Sequence, residues 1–235
     1  TLAGISNWAR GSLIFSYGLF SIAAQTLLFR EFITTFEGND ISVGIFFGSW
    51  FLWVGLGAIL VYRAKAFAEI LLRNIEFLFL SYLPAFILEL LLTIEARQLA
   101  GVESYVLLPI RTILLLSIIV NAPVSIITGM LFPIACRWVH PVRNSITSDC
   151  MAQGGKISNG VRQDQELAVS RVYILEAAGS FCGGLGATIL LGAGFSLARV
   201  FLILAFIVSV SVFWVQVAKA MPHQLNTRES PAKPV

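Results

Sequence analysis

The sequence predicts an all-α protein that crosses a membrane about six times. Of its 235 residues, 57% are hydrophobic and 12% are charged, whereas soluble domains carry about 25% charged residues. A soluble fold of this size would need more charge on its surface. The apolar residues form long runs without the period-two alternation of barrel strands, so we expect helices. These observations exclude a soluble enzyme, a secreted disulfide scaffold and a disordered chain.

Six stretches are long enough to span a bilayer, which takes about 20 apolar residues in a helix. They are Ser12–Phe29, Ile41–Tyr62, Ile75–Ile94, Thr112–Cys136, Val172–Phe195 and Leu197–Val217. We therefore expect one transmembrane domain over residues 1–217, which contains a mobile loop over residues 137–171. Residues 218–235 are polar and are predicted to be a disordered tail.

Lysine and arginine are distributed unequally between the two sides that six spans define. The side that holds both termini carries twelve of the 16, and the other side carries four. Because basic residues are retained in the cytoplasm, we expect both termini there and the chain in the plasma (inner) membrane. The net charge of +3 is too small to indicate a nucleic-acid partner.

Glycine is concentrated in the second and fifth predicted spans. Gly55 and Gly57 lie in the second, and Gly179, Gly183 and Gly184 lie in the fifth. Small residues at helical spacing let two helix backbones approach closely. We expect them to pack helices within the chain, and a homodimer contact is the alternative.

The fourth span contains Asn121 and Pro123 near its middle. Proline lacks a backbone N–H and disturbs the helix before it, so we expect a kink or break here. Such a break either exposes backbone groups to a cavity, as in transporters, or fits a neighbouring helix.

Charged residues within or near the spans are the sharpest functional candidates, because they are costly in hydrocarbon. We expect Glu89 to lie in the outer half of the membrane and Glu176 to pair with Arg137 or Arg171. A structural ion pair and a substrate or proton path through Glu89 are the alternatives. The polar candidates are Gln25, Arg30, Glu31, Glu89, Arg137, Arg171 and Glu176.

The outer end of the first span holds three of these candidates on different sides of one helix. Gln25, Arg30 and Glu31 cannot share a face at 100° per residue. We expect Arg30 and Glu31 at the membrane boundary. One should hold the Glu37–Asp40 turn, and the other should face a neighbouring helix or subunit, or snorkel to solvent.

The sequence lacks the usual signatures of catalysis. It has no P-loop, no H-E-x-x-H, no nucleophile elbow and no Rossmann fingerprint, so we expect neither a catalytic residue nor a metal site. The three cysteines show no C-x-x-C spacing, and both histidines fall outside the apolar runs. We therefore expect no haem, although lipid or quinone could occupy a groove between helices.

Three motifs in order resemble a known family. They are Gln25-x-x-Leu28-x-Arg30-Glu31 with Gly38-Asn39-Asp40-x-Ser42, Gly129-Met130-x-Phe132-Pro133, and Ser170-Arg171-Val172-Tyr173-x-x-Glu176-x-x-Gly179-x-x-x-Gly183-Gly184. Together they resemble the membrane domain of the spermidine-synthase-like integral membrane proteins, the fused polyamine aminopropyltransferase family. The resemblance covers Leu13 to Leu191 and implies a bundle like half of a major-facilitator transporter. The family's catalytic domain has no counterpart in the 18 residues after Val217, so no catalytic residue is carried over.

Three functions follow as hypotheses. The first is a non-catalytic membrane subunit that anchors or organises a larger complex, such as a redox or electron-transfer assembly. The second is a half-transporter-like bundle for polyamine or another cation. The third is the membrane part of a split aminopropyltransferase. The expected partners are membrane lipids and other protein subunits.

Overall fold

The structure is a computed structural model that describes residues 2–36, 40–102, 108–139 and 159–228. These residues form nine helices and contain no strand. Six of the helices are long and apolar enough to cross a membrane. The predicted fold class, an all-α bundle of six membrane-spanning helices, is therefore confirmed.

The nine helices follow the chain in this order: α1 (Leu2–Thr35), α2 (Asp40–Arg63), α3 (Lys65–Arg73), α4 (Ile75–Ile94), α5 (Ala96–Leu99), α6 (Ile110–Val120), α7 (Ala122–Val139), α8 (Asn159–Gly192) and α9 (Leu197–Arg228). At one end of the bundle, the start of α1 meets the end of α7, where Arg10 lies over the ring of Trp138. Lys219 of α9 pairs with Glu76 at the start of α4. We call the end that holds Arg10, Arg137 and Lys219 the basic end.

Helices α1, α8 and α9 extend beyond the predicted bounds, and α1 runs from Leu2 to Thr35, whereas the predicted span is Ser12–Phe29. The break expected near Asn121 and Pro123 is confirmed, because the fourth predicted span is two helices, α6 and α7, which meet at Asn121. Helix α8 already begins at Asn159, and α9 continues to Arg228, past the predicted start of the tail. Residues 140–158 of the predicted loop and 229–235 of the predicted tail lie outside the described residues.

Helix α1 lies at the centre of the bundle. It packs against α8, α9 and α4, and more weakly against α2 and α7. Within its most apolar stretch 61% of the residues are buried, compared with 22% for α2 and 17% for α8. Helices α2 and α8 are therefore the spans that turn most of their surface outward.

Two close helix pairs are built on glycine. Between α1 and α8, a Cβ on Gly18, Gly179 or Gly183 would overlap a backbone carbonyl of the other helix. Between α2 and α7, the same is true of Gly57 and Gly129. Because a backbone carbonyl cannot step aside as a side chain can, only glycine allows these approaches.

The predicted role of the glycines as packing residues within the chain holds for most of them. Gly57, Gly179 and Gly183 lie in the close pairs, and Gly184 approaches only the side chain of Ile22, at 3.0 Å. The prediction for Gly55 is wrong, because a Cβ there would meet no atom within 4 Å. Gly55 lies two residues before Gly57, which places it on the outward side of α2.

Helix α4 presents one buried face to α1, α7 and α9. Its buried residues recur every three or four positions: Phe79, Tyr82, Phe86, Glu89 and Thr93. The ring of Phe86 stacks on Phe201 of α9 with 4.6 Å between the ring centroids. This helical periodicity brings Glu89 into the interior of the bundle.

Candidate functional site

The break in the fourth span is at Asn121, between the last residue of α6 and the first residue of α7. Pro123 stands in the first turn of α7, a position that tolerates proline because first-turn N–H groups have no partner within the helix. The first turn of α7 therefore presents its free N–H groups to neighbouring side chains. Without the break, those groups would be satisfied inside a continuous helix.

Asn121 joins the two half-helices to α2. Its side-chain amide donates to Ser49 Oγ at 2.7 Å and to the carbonyl of Phe46 at 3.2 Å. The hydroxyls of Ser49 and Ser117 are 2.7 Å apart, and Ser125 Oγ donates to the carbonyl of Asn121. All four polar side chains are buried, so their hydrogen bonds are made away from water.

Glu89 of α4 lies on the other side of the break. Its side chain is fully buried, with 0% exposure. The carboxylate oxygen Oε2 accepts a hydrogen bond from the backbone N–H of Val124, at 2.9 Å, in the first turn of α7. The second oxygen, Oε1, has no hydrogen-bond partner among the described residues. We call Glu89, Asn121 and the first turn of α7 the helix-break site.

Three hydroxyl groups within one turn of Glu89 or Val124 along the chain donate their hydrogen bonds to backbone carbonyls. Thr93 Oγ1 donates to the carbonyl of Glu89 at 2.8 Å, and Thr128 Oγ1 donates to the carbonyl of Val124 at 2.9 Å. Ser125 donates to the carbonyl of Asn121. Each hydroxyl thus bonds to the carbonyl four residues earlier in the chain. None of these three donates to Oε1 of Glu89.

Two tyrosines meet at Thr128, one turn after Val124 in α7. Tyr82 lies seven residues before Glu89, which is two turns along the same face of α4. Its hydroxyl shares a hydrogen bond with Thr128 Oγ1. The hydroxyl of Tyr17, from α1, donates to the carbonyl of Thr128 at 3.0 Å. Thr128 thereby links α1, α4 and α7 at one level of the bundle.

The candidates of the first span lie on the second half of α1. Gln25 and Glu31 are partly buried, Arg30 is exposed, and none of the three side chains makes an ion pair within the described ranges. The end of α1 is held by Arg97, whose Nε donates to the carbonyl of Thr35 at 2.7 Å. The predicted hold of Arg30 or Glu31 on the 37–40 turn concerns residues 37–39, which lie outside the described part.

The predicted ion pair of Glu176 is not formed. In the described part of the chain, its carboxylate is 3.3 Å from Ser180 Oγ and forms no salt bridge with Arg137 or Arg171. Arg171 is exposed and lies five residues before Glu176, about 140° away around α8. Among the described residues near the basic end, Lys219 of α9 forms an ion pair with the buried Glu76 of α4.

Several site residues escaped the sequence analysis. Ser49, Ser117 and Ser125 are serines inside apolar runs, and only their joint contact with Asn121 distinguishes them from other serines in the spans. Tyr82 gave a clearer signal, because it is two turns from Glu89. No group of three or more His, Cys, Asp or Glu side chains that could hold a metal ion occurs among the residues searched.

Compared with protein-family models, with curated proteins and with solved structures, the chain matches none of them.

Proposed function

We propose that this chain is a half-transporter-like membrane bundle that binds a small cation and moves it across the membrane. The observation that carries the proposal is the buried carboxylate of Glu89 at the helix break. An ionisable side chain in a membrane span is costly and marks an ion or substrate path in many membrane proteins. Broken helices are where transporters commonly place such sites.

The geometry favours a positive ligand over a negative one. A helix N-terminus alone attracts anions, but here the free N–H of Val124 is occupied by Glu89. The remaining oxygen of Glu89 lacks a donor among the described residues. The site therefore offers an acceptor and a negative charge, and the resemblance to half of a major-facilitator transporter is consistent with transport.

Reconstitution into liposomes tests this proposal. Flux would be measured for protons with an enclosed pH-sensitive dye, and for sodium and spermidine as labelled ions. We expect flux of at least one cation, lost in Glu89→Gln. It should be retained in Glu95→Gln, because Glu95 is exposed and ends the same helix. Flux no greater than in empty vesicles for all three cations would contradict the proposal.

A second candidate function is a non-catalytic subunit of a larger membrane complex, such as a redox assembly. The outward face of α2 favours it. At Gly44, Gly48 and Gly55 a Cβ would meet nothing within 4 Å, and these positions lie on one side of the helix. A lipid-facing helix gains nothing from glycine, whereas a neighbouring helix from another chain could approach it closely.

Purification in mild detergent separates the two candidates. A subunit should carry stoichiometric partner proteins with it, and Gly48→Leu should release them because the leucine side chain fills the contact face. Gly186→Leu is the control, since Gly186 also has open space beside it but lies on α8. A preparation without partner proteins would exclude this candidate, and equal release by both variants would exclude α2 as the contact.

The membrane and the orientation are further parts of the proposal. We propose the plasma (inner) membrane with both termini cytoplasmic, because in the sequence the side that holds both termini carries twelve of the 16 lysines and arginines. Reporter fusions at Gly38 and Gly101 should be external, and fusions at Gly154 and after Val217 should be cytoplasmic. A cytoplasmic reporter at Gly38 would reverse the orientation of every span.

A further inference from the structure

We propose that Glu89 binds an exchangeable proton on its carboxyl oxygen Oε1, so that the helix-break site is a proton-binding site. This inference deepens the proposed function by naming the ion. It rests on that function only for the movement of the proton across the membrane. The binding itself is a property of the folded bundle and is measurable without transport.

The charge at the site matches a ligand with a single positive charge. Glu89 is one carboxylate, and no charged side chain forms an ion pair with it in the described residues. An unpaired anion at 0% exposure is unstable in a low-dielectric interior and is neutralised by whatever cation reaches it. A polyamine, which carries several charges, would require further acids beside Glu89.

The space at the site favours a proton over a metal ion. A dehydrated metal cation needs several oxygen ligands arranged around it. Oxygen Oε1 is enclosed by the protein and is unpartnered, and the hydroxyls of Thr93, Ser125 and Thr128 are engaged with backbone carbonyls. A proton needs no additional cavity, because it is covalently held by the carboxyl oxygen.

The site also supports the deprotonated state, which an exchangeable proton requires. The N–H of Val124 donates to Oε2, and the first turn of α7 adds the favourable dipole of a helix N-terminus. Burial of Glu89 favours the neutral carboxyl. The Val124 N–H and the helix dipole favour the charged carboxylate. A purely apolar pocket would hold the carboxyl neutral under all conditions, and a buried arginine would hold it charged.

We expect Glu89, rather than a titratable side chain on a neighbouring helix, to be the group that binds and releases the proton. Tyr82 lies two turns from Glu89 on the same face of α4, and its hydroxyl is hydrogen-bonded to Thr128. The other charged or titratable side chains on the helices that contact α4 lie beyond Tyr82 or towards the ends of the bundle. Among the residues whose side chains the structure describes, they are Arg10, Tyr17, Arg30 and Glu31 on α1, Lys65, Glu69 and Arg73 on α3, Arg97 on α5, Arg111 on α6, Cys136 and Arg137 on α7, and Arg199 and Lys219 on α9.

Infrared spectroscopy of the purified full chain in detergent tests the inference. A protonated carboxyl gives its own carbonyl stretch, which is separate from that of a carboxylate. We expect this band in the wild type and in Glu95→Gln at neutral pH, and its absence in Glu89→Gln. Above the midpoint of the titration, the protonated fraction should fall roughly tenfold for each pH unit. Glu89→Asp keeps an acid at the site and should shift the band rather than remove it, which provides a second variant if Glu89→Gln folds poorly.

Labelling with dicyclohexylcarbodiimide gives an independent measurement, because this reagent adds to protonated carboxyls in apolar surroundings. We expect labelling of Glu89 that declines at alkaline pH and is unaffected by sodium at constant pH. Two results would overturn the inference: a Glu89 carboxyl that is charged at every pH at which the protein is folded, or sodium that displaces the proton at constant pH. Protonation without any flux in liposomes would leave the inference intact and contradict the proposed transport function alone.

Discussion

Replacement of Gly183 by alanine tests whether the close approach of α1 and α8 holds the bundle together. A Cβ at Gly183 would overlap the backbone carbonyl of Leu19 in α1, so the two helices would have to move apart. Gly186→Ala is a matched control on the same helix, because a Cβ there meets nothing within 4 Å. Both variants gain the same helix propensity, about 1 kcal/mol, which cancels when the two are compared.

The difference in stability between the two variants therefore measures the overlap. Overpacking a buried site costs about 1–3 kcal/mol. We expect a value of about 3 kcal/mol, because the obstructing atom belongs to a backbone and because Gly18 and Gly179 lie on the same helix–helix contact. Unfolding in a denaturing detergent, followed by circular dichroism, gives both free energies. A difference below about 0.5 kcal/mol would refute the assigned helix contact.

Three other substitutions test the polar contacts of the bundle, each by the same unfolding measurement. Thr128→Val should cost about 1–3 kcal/mol because it removes a hydrogen-bond partner of the buried Tyr82. The control Thr188→Val, at an exposed threonine with the same bond to its own helix, should change the stability little. Equal effects of the two variants would contradict this. Lys219→Gln should cost about 1–2 kcal/mol because it leaves the carboxylate of Glu76 without its ion-pair partner. Glu76→Gln added to it should restore most of that loss, and no restoration would argue against the pair. Glu176→Gln should cost less than about 1 kcal/mol, because one serine is its hydrogen-bond partner; a larger loss would indicate a charged partner.

The sequence was sufficient to predict the spans, because hydrocarbon imposes one requirement on every spanning segment. Each must be apolar over about 20 residues and must satisfy its own backbone. The bounds of the second and third spans agree with α2 and α4 to within one residue. The break at Asn121 was also expected, because Asn121 and Pro123 interrupt this apolar run and proline disturbs the helix before it.

The partners of the polar residues were less predictable. Glu89 was identified from its sequence position alone, but its partner is the backbone N–H of Val124, which any residue except proline could supply. The sequence placed Glu176 at the same membrane level as Arg137 and Arg171. In the structure its carboxylate accepts a hydrogen bond from Ser180, one turn along α8. A hydrogen bond to a backbone group does not depend on the residue type of its partner, whereas an ion pair needs two residues of opposite charge. The sequence predictions therefore favoured ion pairs.

The two glycine-based pairs and the helix-break site divide the bundle into parts with different constraints. Within the α1–α8 and α2–α7 pairs, backbones meet at glycines, so a small displacement produces steric overlap. The contacts of α4 with these pairs include the Val124 N–H to Glu89 bond and the hydroxyl bond between Tyr82 and Thr128. Such bonds can be broken and remade at modest cost compared with close-packed backbones. A change of charge at Glu89 would therefore act where α4 meets α7, at a contact made by hydrogen bonds rather than by close-packed backbones.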